Sequence, residues 1–332
     1  MSLNQEEQEN VYRLLYSGQL ESIRLGLKLA KTLQIDIQPF QAVIEKLYKR
    51  VYPNKDAFRV PLAQQINNLH QLKEVKMRDP YDPVILNQIL HLSQLISLGI
   101  YSTDLTEISE EIGKLTQLAC LCISDTQLRN IPSQVGQLTQ LRLLELPNNK
   151  LTSLPNEIGN LTQLTQIDLC NNNLTTLPEQ ISNLKLVDTL FLQNNYFEEF
   201  PIGITHMSGL GILDFSNNTL CDLPPEIGNL TRIDTVILIN NCLETLPPEI
   251  GKMTNLYKLE LIGNILVSIP PEIGNLVQLQ ELNLCQNRLT SLPVEIRNLK
   301  SLKNLILKDN PMSKESITEI RSWLPDCYVF FE

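Results

Sequence analysis

The sequence predicts an α/β solenoid, in which parallel strands stack along a curved rod, and three observations support this fold class. A leucine pattern recurs every 23 residues without a slip from Leu72 to Leu302, which makes eleven turns. Each turn contains a Leu-x-Leu segment that alternates as a strand with one buried side does. From Asn149 onward, every turn carries an asparagine at the same place. A unit of this size cannot bury its apolar face alone, so the turns must stack on one another.

The recurring asparagines have a structural role in this interpretation. The chain turns sharply after each strand, and an inward carboxamide, with two donors and an acceptor, can satisfy the backbone groups buried there. We therefore predict a structural ladder and not a binding site. Its members are Asn149, Asn172, Asn195, Asn218, Asn241, Asn264, Asn287 and Asn310. In the first three turns the same position holds Pro80, Thr103 and Thr126.

The second half of each turn, Leu-Pro-x-Glu-Ile-Gly, is too short for a full α-helix and predicts a helical turn or 3₁₀ segment on the outer face. In one such turn, Pro155 begins the segment, Ile158 points inward and Gly159 allows the chain to leave it. The strand side is narrower than this outer side. The rod should therefore curve, with its strands on the concave wall.

Residues 1–60 lack the repeat and predict a helical N-terminal cap. Apolar spacing indicates helices over Gln5–Tyr16 and Leu20–Leu33, separated by Gly18, and a third from Pro39 towards Val51. The break after the third helix falls at residues 52–55. Such a unit would cover the open end of the repeat core, although a separate docking role stays open.

The C-terminal end predicts a second cap. Ser313–Leu324 reads as an amphipathic helix with Ser313 as its N-cap, and residues 327–331 alternate like a last strand. We divide the chain into an N-terminal cap at 1–60, about eleven repeats at 61–312 and a C-terminal cap at 313–332.

Charge and hydropathy exclude several classes of partner. The chain of 332 residues has a formal net charge of −10. Residues 1–60 carry nine Lys/Arg and seven Asp/Glu, which gives +2, so the remainder carries −12. Nucleic acids and anionic lipids attract clustered basic residues, and this balance argues against both. No apolar run approaches the ~20 residues that span a bilayer, so we expect no membrane insertion.

The pattern L-x-x-L-x-L-x-x-N-x-L followed by x-x-L-P-x-E-I-G-x-L-x-x-L resembles the leucine-rich repeat. Residues 151–164, LTSLPNEIGNLTQL, and 220–233, LCDLPPEIGNLTRI, are close copies. The 23-residue form with Leu-Pro and Glu-Ile-Gly is similar to the bacterial, Ras-suppressor-like subclass. This resemblance implies a right-handed horseshoe and a protein-binding scaffold, and it says little about the partner.

Catalytic chemistry finds no support in the sequence. A Gly-rich phosphate loop is missing, and the three histidines fall in different turns. Cys120-x-Cys122 is the closest cysteine pair, and its spacing is awkward for a disulfide and offers too few ligands for zinc. We therefore expect no catalytic residue, no metal and no cofactor. The seven cysteines do not follow a disulfide pattern and indicate free thiols in a reducing compartment.

The variable strand positions form the candidate binding site, because the leucines are committed to the core. We expect a contiguous exposed apolar patch on the concave wall, surrounded by carboxylates, as in protein interfaces. Its residues are Glu145, Asp168, Phe191, Ile212, Asp214, Ile237, Ile239, Glu260 and Ile262. The acidic members would favour a basic partner. Isoleucine and phenylalanine are also common on strands for their β-propensity alone, which is the competing explanation.

These observations favour a cytoplasmic, monomeric, non-enzymatic scaffold that binds a protein or peptide on its concave wall. Residues 1–10 are polar and acidic and do not resemble a signal peptide. The alternative is a secreted or host-directed bacterial virulence or adhesion factor, which the family resemblance makes plausible. A secretion signal upstream of the natural start codon would distinguish the two.

Overall fold

The structure, a computed structural model, describes residues 5–17, 19–33, 35–52, 60–78 and 83–331. Twelve parallel strands form a single sheet in which every strand pairs with the next one along the chain. The strands are β1 (Glu74–Arg78), β2 (Ser97–Tyr101), β3 (Cys120–Ser124), β4 (Leu143–Glu145), β5 (Gln166–Asp168), β6 (Thr189–Phe191), β7 (Ile212–Asp214), β8 (Thr235–Ile237), β9 (Lys258–Glu260), β10 (Glu281–Asn283), β11 (Asn304–Ile306) and β12 (Tyr328–Phe330). The predicted solenoid is confirmed.

The register of the sheet reproduces the sequence period. Leu144 in β4 pairs with Ile167 in β5, and Leu190 in β6 pairs with Leu213 in β7, each 23 residues further on. The middle residue of each short strand is buried, and the two residues beside it are mostly half-buried. The leucine positions therefore fill one continuous interior, and the flanking positions line the concave wall.

The outer half of most turns is a five-residue 3₁₀ segment, as predicted. These segments are Glu110–Lys114, Ser133–Gln137, Asn156–Asn160, Glu179–Asn183, Ile202–His206, Pro225–Asn229, Pro248–Lys252, Pro271–Asn275 and Val294–Asn298. In most of them a proline occupies the N-cap, as Pro155 does, and the inward residue is buried, as Ile158 is. The first two turns differ, because their outer halves are the α-helices α4 (Leu62–His70) and α5 (Pro83–Ile89). In register with Pro155 and Gly159, those two turns carry neither a proline nor a glycine, whereas each of the 3₁₀ turns has at least one of the two.

Three helices precede the repeats: α1 (Gln5–Leu15), α2 (Leu20–Thr32) and α3 (Gln38–Val51). Helix α1 packs on α2, and α3 packs on α4 and α5, so these helices cover the first turns of the solenoid. The breaks expected at Gly18 and at residues 53–55 lie outside the described residues, as does Pro80.

The C-terminal end is a helix followed by a strand, as predicted. Helix α6 (Lys314–Trp323) begins after Ser313, whose hydroxyl oxygen accepts the Ser316 backbone N–H at 3.1 Å. The chain then returns to the sheet, where Val329 of β12 pairs with Leu305 of β11. Ile317, Ile320 and Leu324 are buried under this cap.

The glycine at the end of the outer segment has a different role from the one expected. No positive φ occurs at Gly159, so backbone freedom is not what this position needs. A Cβ atom there would lie 2.6 Å from the backbone oxygen of Gln180 and 2.7 Å from its Cβ, in the next turn. Glycine is favoured at position 159 because this outer segment and the next approach each other too closely there for a side chain.

Each ladder asparagine spans two turns. The side-chain amide of Asn172 donates to the carbonyl oxygens of Leu146 at 2.8 Å and Leu169 at 3.0 Å. Its side-chain oxygen accepts the Leu151 backbone N–H at 3.0 Å. The same pattern recurs along the solenoid to Asn310. At the degenerate end, the Thr126 hydroxyl replaces the carboxamide, accepting the Leu128 N–H at 3.2 Å and bonding to Asn149.

The residue before each ladder position adopts a left-handed backbone, a feature that the sequence analysis did not anticipate. Positive φ occurs at Ser102, Asp125, Asn148, Asn171, Asn194, Asn217, Asn240, Gly263, Gln286 and Asp309. Asparagine, aspartate and glycine tolerate this conformation best, and they hold most of these places. The Asn-Asn pairs of five successive turns, beginning with Asn148, were the available signal.

Candidate binding surface

The strand residue that lies between the second and third leucines of each turn forms a central column down the concave wall. From β4 to β12 this column reads Glu145, Asp168, Phe191, Asp214, Ile237, Glu260, Asn283, Ile306 and Phe330, and in β1 to β3 it holds Lys76, Gly99 and Cys122. Strands in a sheet lie about 4.8 Å apart, so neighbours in this column are in side-chain contact range. Phe330, 40 % exposed, extends the column into the C-terminal cap, and the sequence analysis had not included it.

The predicted site residues do share one wall, but their arrangement differs from the expected one. Phe191 lies in register between Asp168 and Asp214, and Ile237 lies between Asp214 and Glu260. The carboxylates therefore alternate with the apolar side chains and do not surround them. The side chains are also half-buried instead of fully exposed. Adjacent strands carry successive residues of one column, and this sets the alternation.

A continuous apolar strip does form beside the central column. Ile239 follows two residues after Ile237, the last residue of β8, and Ile262 occupies the place next to Ile239 in the following turn. The backbone oxygens of Ile239 and Ile262 accept N–H groups of Asn217 at 2.7 Å and Asn240 at 2.7 Å, which holds both segments rigidly. Ile212 lies on β7 beside Thr235 and at a distance from this strip.

Two aspartates of the column are held in place by the backbone. The Asp168 carboxylate accepts the Cys170 N–H at 2.9 Å. The Asp214 carboxylate accepts the Ser216 N–H at 2.9 Å and the Ser216 hydroxyl at 2.6 Å. Hydrogen bonds to a charged acceptor are strong, so these carboxylates need little reorganisation to meet a cationic partner.

At the C-terminal side of the site, the Lys258 ammonium lies 3.1 Å from a carboxylate oxygen of Glu260 and 3.1 Å from one of Glu281. The second carboxylate oxygen of Glu260 is buried and receives no hydrogen bond from the described residues. The side-chain oxygen of Gln193, which follows Phe191 on the wall, is buried and unpaired in the same way. Both atoms are acceptors, and buried acceptors without partners are costly. Lys258 and Gln193 were not among the predicted site residues.

The thiols on this wall are poor nucleophiles. Burial, together with the neighbouring Asp168, raises the pKa of the Cys170 thiol to about 12. Burial also raises the pKa of Cys122 to about 11. A reactive cysteine needs a thiolate at neutral pH, which such environments disfavour. All seven cysteines are free thiols, including the Cys120–Cys122 pair.

Within the described ranges, no three His, Cys, Asp or Glu side chains come together as metal ligands. His70 is buried at the N-terminal cap, where desolvation lowers its pKa to about 4, and His206 is exposed on the outer face. Among the helices that the structure describes, none is long and apolar enough to cross a bilayer.

The stacked parallel strands, the 3₁₀ outer segments and the open concave wall define a solenoid repeat protein. A leucine-rich repeat region profile matches residues 58–172 and 212–321, and a second leucine-rich repeat profile matches residues 163–184. The first match covers more than half of the chain, and the chain therefore belongs to the leucine-rich repeat family. Proteins of this architecture use their extended concave surfaces for binding.

Solved structures show the same fold. An internalin of Listeria monocytogenes, InlF, has a TM-score of 0.70 at 20 % identity, over 87 % of this chain and 88 % of that one. The plant peptide hormone receptor RGFR1, in complex with RGF2, has a TM-score of 0.64 at 24 % identity, over 80 % of this chain and 48 % of that one. The PEPR1–AtPEP1 structure has a TM-score of 0.58 at 28 % identity, over 74 % of this chain and 39 % of that one. A comparison with curated proteins finds no match.

Proposed function

We propose that this protein is a non-enzymatic scaffold that binds a basic, partly apolar protein or peptide segment on its concave wall. The observation that carries this proposal is the central column, in which Asp168, Asp214 and Glu260 alternate with Phe191 and Ile237. An occupant that crosses these strands would meet a carboxylate and an apolar surface in turn. Charge then selects the partner, and apolar burial supplies affinity.

The charges of the column favour a cationic occupant. Glu145 and Asp168 are in-register neighbours with no strand between them. Like charges at this separation destabilise a sheet, and a lysine or arginine placed between them would relieve the repulsion. Lysine and arginine side chains also provide hydrogen-bond donors without acceptors, which suits a column of carboxylates.

RGFR1, solved in complex with RGF2, is a peptide hormone receptor of the same fold, and its likeness at 24 % identity concerns the fold alone, so the peptide-sized occupant rests on the concave column. We also assign the chain to the bacterial, Ras-suppressor-like subclass, on the support of the unbroken 23-residue register. A cytoplasmic location accords best with the free thiols, and we propose that the protein is a monomer. The alternative of a secreted or host-directed factor stays a hypothesis, because likeness to an internalin at 20 % identity concerns the fold alone.

The test uses two isosteric substitutions, Asp168→Asn and Asp214→Asn, made together. Asparagine keeps a side-chain oxygen for the backbone N–H groups and removes only the charge. The matched control, Glu157→Gln with Glu226→Gln, removes the same charge from exposed positions on the outer face. Partners captured by the natural protein from cells of its source would be identified, purified and titrated calorimetrically against each variant.

We expect the concave variant to weaken binding about tenfold or more, since two charge-assisted contacts are lost. The outer-face control should bind as the natural protein does. A second concave variant, Phe191→Ala with Ile237→Asp, should abolish binding and leave the circular dichroism spectrum unchanged. Equal affinity for all three variants would show that the partner binds elsewhere.

A further inference from the structure

A second candidate site lies on the opposite side of the solenoid, where one outer segment departs from the repeat. In regular turns the residue after Leu-Pro-x is glutamate or glutamine, as at Glu157 and Gln180. In the turn that follows β6 this place is Gly203, within the 3₁₀ segment Ile202–His206. Residues 173–211, which contain this segment, lie between the two stretches that the leucine-rich repeat region profile matches.

The loss of the larger residue at position 203 is matched by a change at the position that faces it in the preceding turn. In a regular pair, glycine on one turn faces a larger residue on the next, as Gly159 faces Gln180. Here the earlier turn carries Ser182, and the later turn supplies the glycine instead. A Cβ atom at Gly203 would lie 2.7 Å from the Cγ2 atom of Ile181, so the two outer segments pack closely only because that side chain is absent.

The backbone around this exchange is also shifted. Pro201, the N-cap of the segment, has a ψ of 108°, whereas Pro178 and Pro224 before and after it have ψ values of 146° and 152°. Phe197 and Phe200 fill two positions that leucines hold in other turns, and both contact Phe215 with ring centroids 4.9 Å and 5.4 Å apart. The irregular turn therefore has its own well-packed core and is not a defect of packing.

An open cavity of about 580 Å³ lies at this exchange and is lined by residues of both turns. A smaller depression of about 300 Å³ continues from it and shares Glu179, Ile202 and Gly203 as lining residues. Tyr196, 59 % exposed, and Ile202, 47 % exposed, form the apolar surface of the cavity. Exposed apolar side chains grouped in a depression are typical of binding sites.

Three carboxylates, Glu179, Glu198 and Glu199, line the same cavity and are exposed. Within the part of the chain that the structure describes, no lysine or arginine lies within ion-pairing distance of them. The nearest cation in the adjoining depression, Lys185, donates to the His206 backbone oxygen at 2.6 Å. The cavity thus presents apolar and negative surfaces and has no internal counter-ion.

We propose that this cavity, which we call the turn-six groove and define by Glu179, Tyr196, Glu198, Glu199 and Ile202, is a second binding site. Its occupant is a polypeptide segment in which arginine alternates with an aliphatic residue. The guanidinium group would pair with Glu198 and Glu199, which a planar fork of donors suits. The aliphatic neighbour would pack on Tyr196 and Ile202. This site is separate from the concave wall.

The experiment uses a fluorescein-labelled, C-terminally amidated hexapeptide with the sequence alanine-leucine-arginine-leucine-arginine-alanine. A second peptide carries citrulline in place of both arginines, which keeps the shape and removes the charge. Binding to the full chain is measured by fluorescence anisotropy. We expect the citrulline peptide to bind at least about tenfold more weakly, because its charge-assisted hydrogen bonds are lost.

Two variants locate the binding. Glu198→Gln with Glu199→Gln removes the two carboxylates, and Ser182→Gly with Gly203→Gln restores the regular pair seen at Gly159 and Gln180 and places a neutral side chain in the cavity. Each should weaken arginine-peptide binding about tenfold. The control Glu157→Gln with Glu249→Gln, which removes equal charge from other outer segments, should bind as the natural protein does. The groove variants are also measured in the Asp168→Asn, Asp214→Asn background, which removes the concave charges, and the preference for arginine over citrulline should persist there.

Three results would contradict the proposal that the groove binds this peptide. They are no binding of the peptide at millimolar concentration, equal binding of the arginine and citrulline peptides, and groove variants that bind the peptide as the natural protein does. Loss of binding in the concave variant alone would assign the peptide to the concave wall, which would support the first proposal and reject this one. Circular dichroism and the urea midpoint of each variant establish that its fold is retained.

Discussion

The side-chain oxygen of Asn172 accepts the backbone N–H of Leu151, one turn earlier in the solenoid, at 3.0 Å. The amide of the same side chain donates to carbonyl groups on both turns, Leu146 at 2.8 Å and Leu169 at 3.0 Å. One side chain therefore joins buried backbone groups of two successive turns. This bond explains why the solenoid stacks in one fixed register.

Replacing Asn172 by alanine should destabilise the protein strongly. The substitution leaves the Leu151 N–H buried without a partner, which costs about 1–3 kcal/mol, while the Leu146 and Leu169 carbonyl oxygens each keep one donor, from Asn149 and Asn195. We expect a loss of about 2 kcal/mol in the free energy of unfolding, measured by urea denaturation. Asn310→Ala is the control. Asn310 is only half-buried at the end of the ladder, so water can replace its bonds, and we expect a loss of about 1 kcal/mol. Similar losses at both positions would contradict this explanation.

The left-handed column predicts a distinct pattern of tolerance at Asn194. This residue has a φ of 59° and is exposed, so its backbone conformation and not its packing decides the outcome. Asn194→Val should cost about 1–2 kcal/mol, and Asn194→Gly should be nearly neutral. Thermal unfolding of the two variants provides the comparison. If valine and glycine had the same effect, backbone conformation would not be the constraint at this position.

The close approach of outer segments predicts coupling between positions 159 and 180. Gly159→Ser should destabilise the protein by about 1–3 kcal/mol, because the new Cβ atom would press on Gln180 in the next turn. Adding Gln180→Gly should recover part of the loss, since the native pair Ser182 and Gly203 already uses that exchange. A double-mutant cycle measures the coupling, which we expect to be about 1 kcal/mol. Strictly additive effects would argue against contact between the two positions.

Acid should loosen the N-terminal cap through His70. Burial lowers the pKa of this histidine from 6.5 to about 4 in the folded protein. Between these values the unfolded chain binds a proton that the folded chain does not, so stability falls as pH decreases through this window. From pH 7 to pH 5 the loss should be about 2 kcal/mol.

Two measurements at pH 7 and pH 5 test this prediction: the free energy of unfolding from urea denaturation, and the amide hydrogen exchange rates in α4. His70→Phe, which cannot be protonated, should reduce the pH dependence, and His206→Gln on the exposed outer face should leave it unchanged. Burial also lowers the pKa of His91, which stacks on Tyr16 with ring centroids 4.3 Å apart, so a smaller acid sensitivity should persist in the His70 variant. An unaltered pH profile in His70→Phe would exclude His70 as its source.

The fold could be predicted from the sequence because its signals are local and repeated. The 23-residue spacing of leucines dictates which side chains face inward, and eleven copies leave no doubt about the period. The C-terminal helix and strand could also be predicted, because the N-cap Ser313 and the alternation near Val329 are short-range patterns. The two α-helical outer segments of the first turns were missed, because those turns lack the motif that defines the others.

The candidate site was only partly predictable. Its residues could be named from their place in the repeat, but their neighbours come from strand pairing. Asp214 separates Phe191 from Ile237 because each turn contributes one residue to the central column. The unpaired oxygen of Glu260 and the bridging role of Lys258 depend on side-chain positions that no spacing rule contains.

The sequence alone determined the repeat period, the solenoid, the inward leucines and the position of each ladder asparagine, because each of these follows from periodic burial of apolar and hydrogen-bonding groups. Only the tertiary structure decided which side chains meet across turns. Strand pairing places carboxylates between apolar residues on the concave wall, and the turn-six groove lies where Gly203 faces Ser182. Contacts between turns depend on distances of a few ångströms between residues that are about twenty positions apart, and a pattern along the chain does not carry that information.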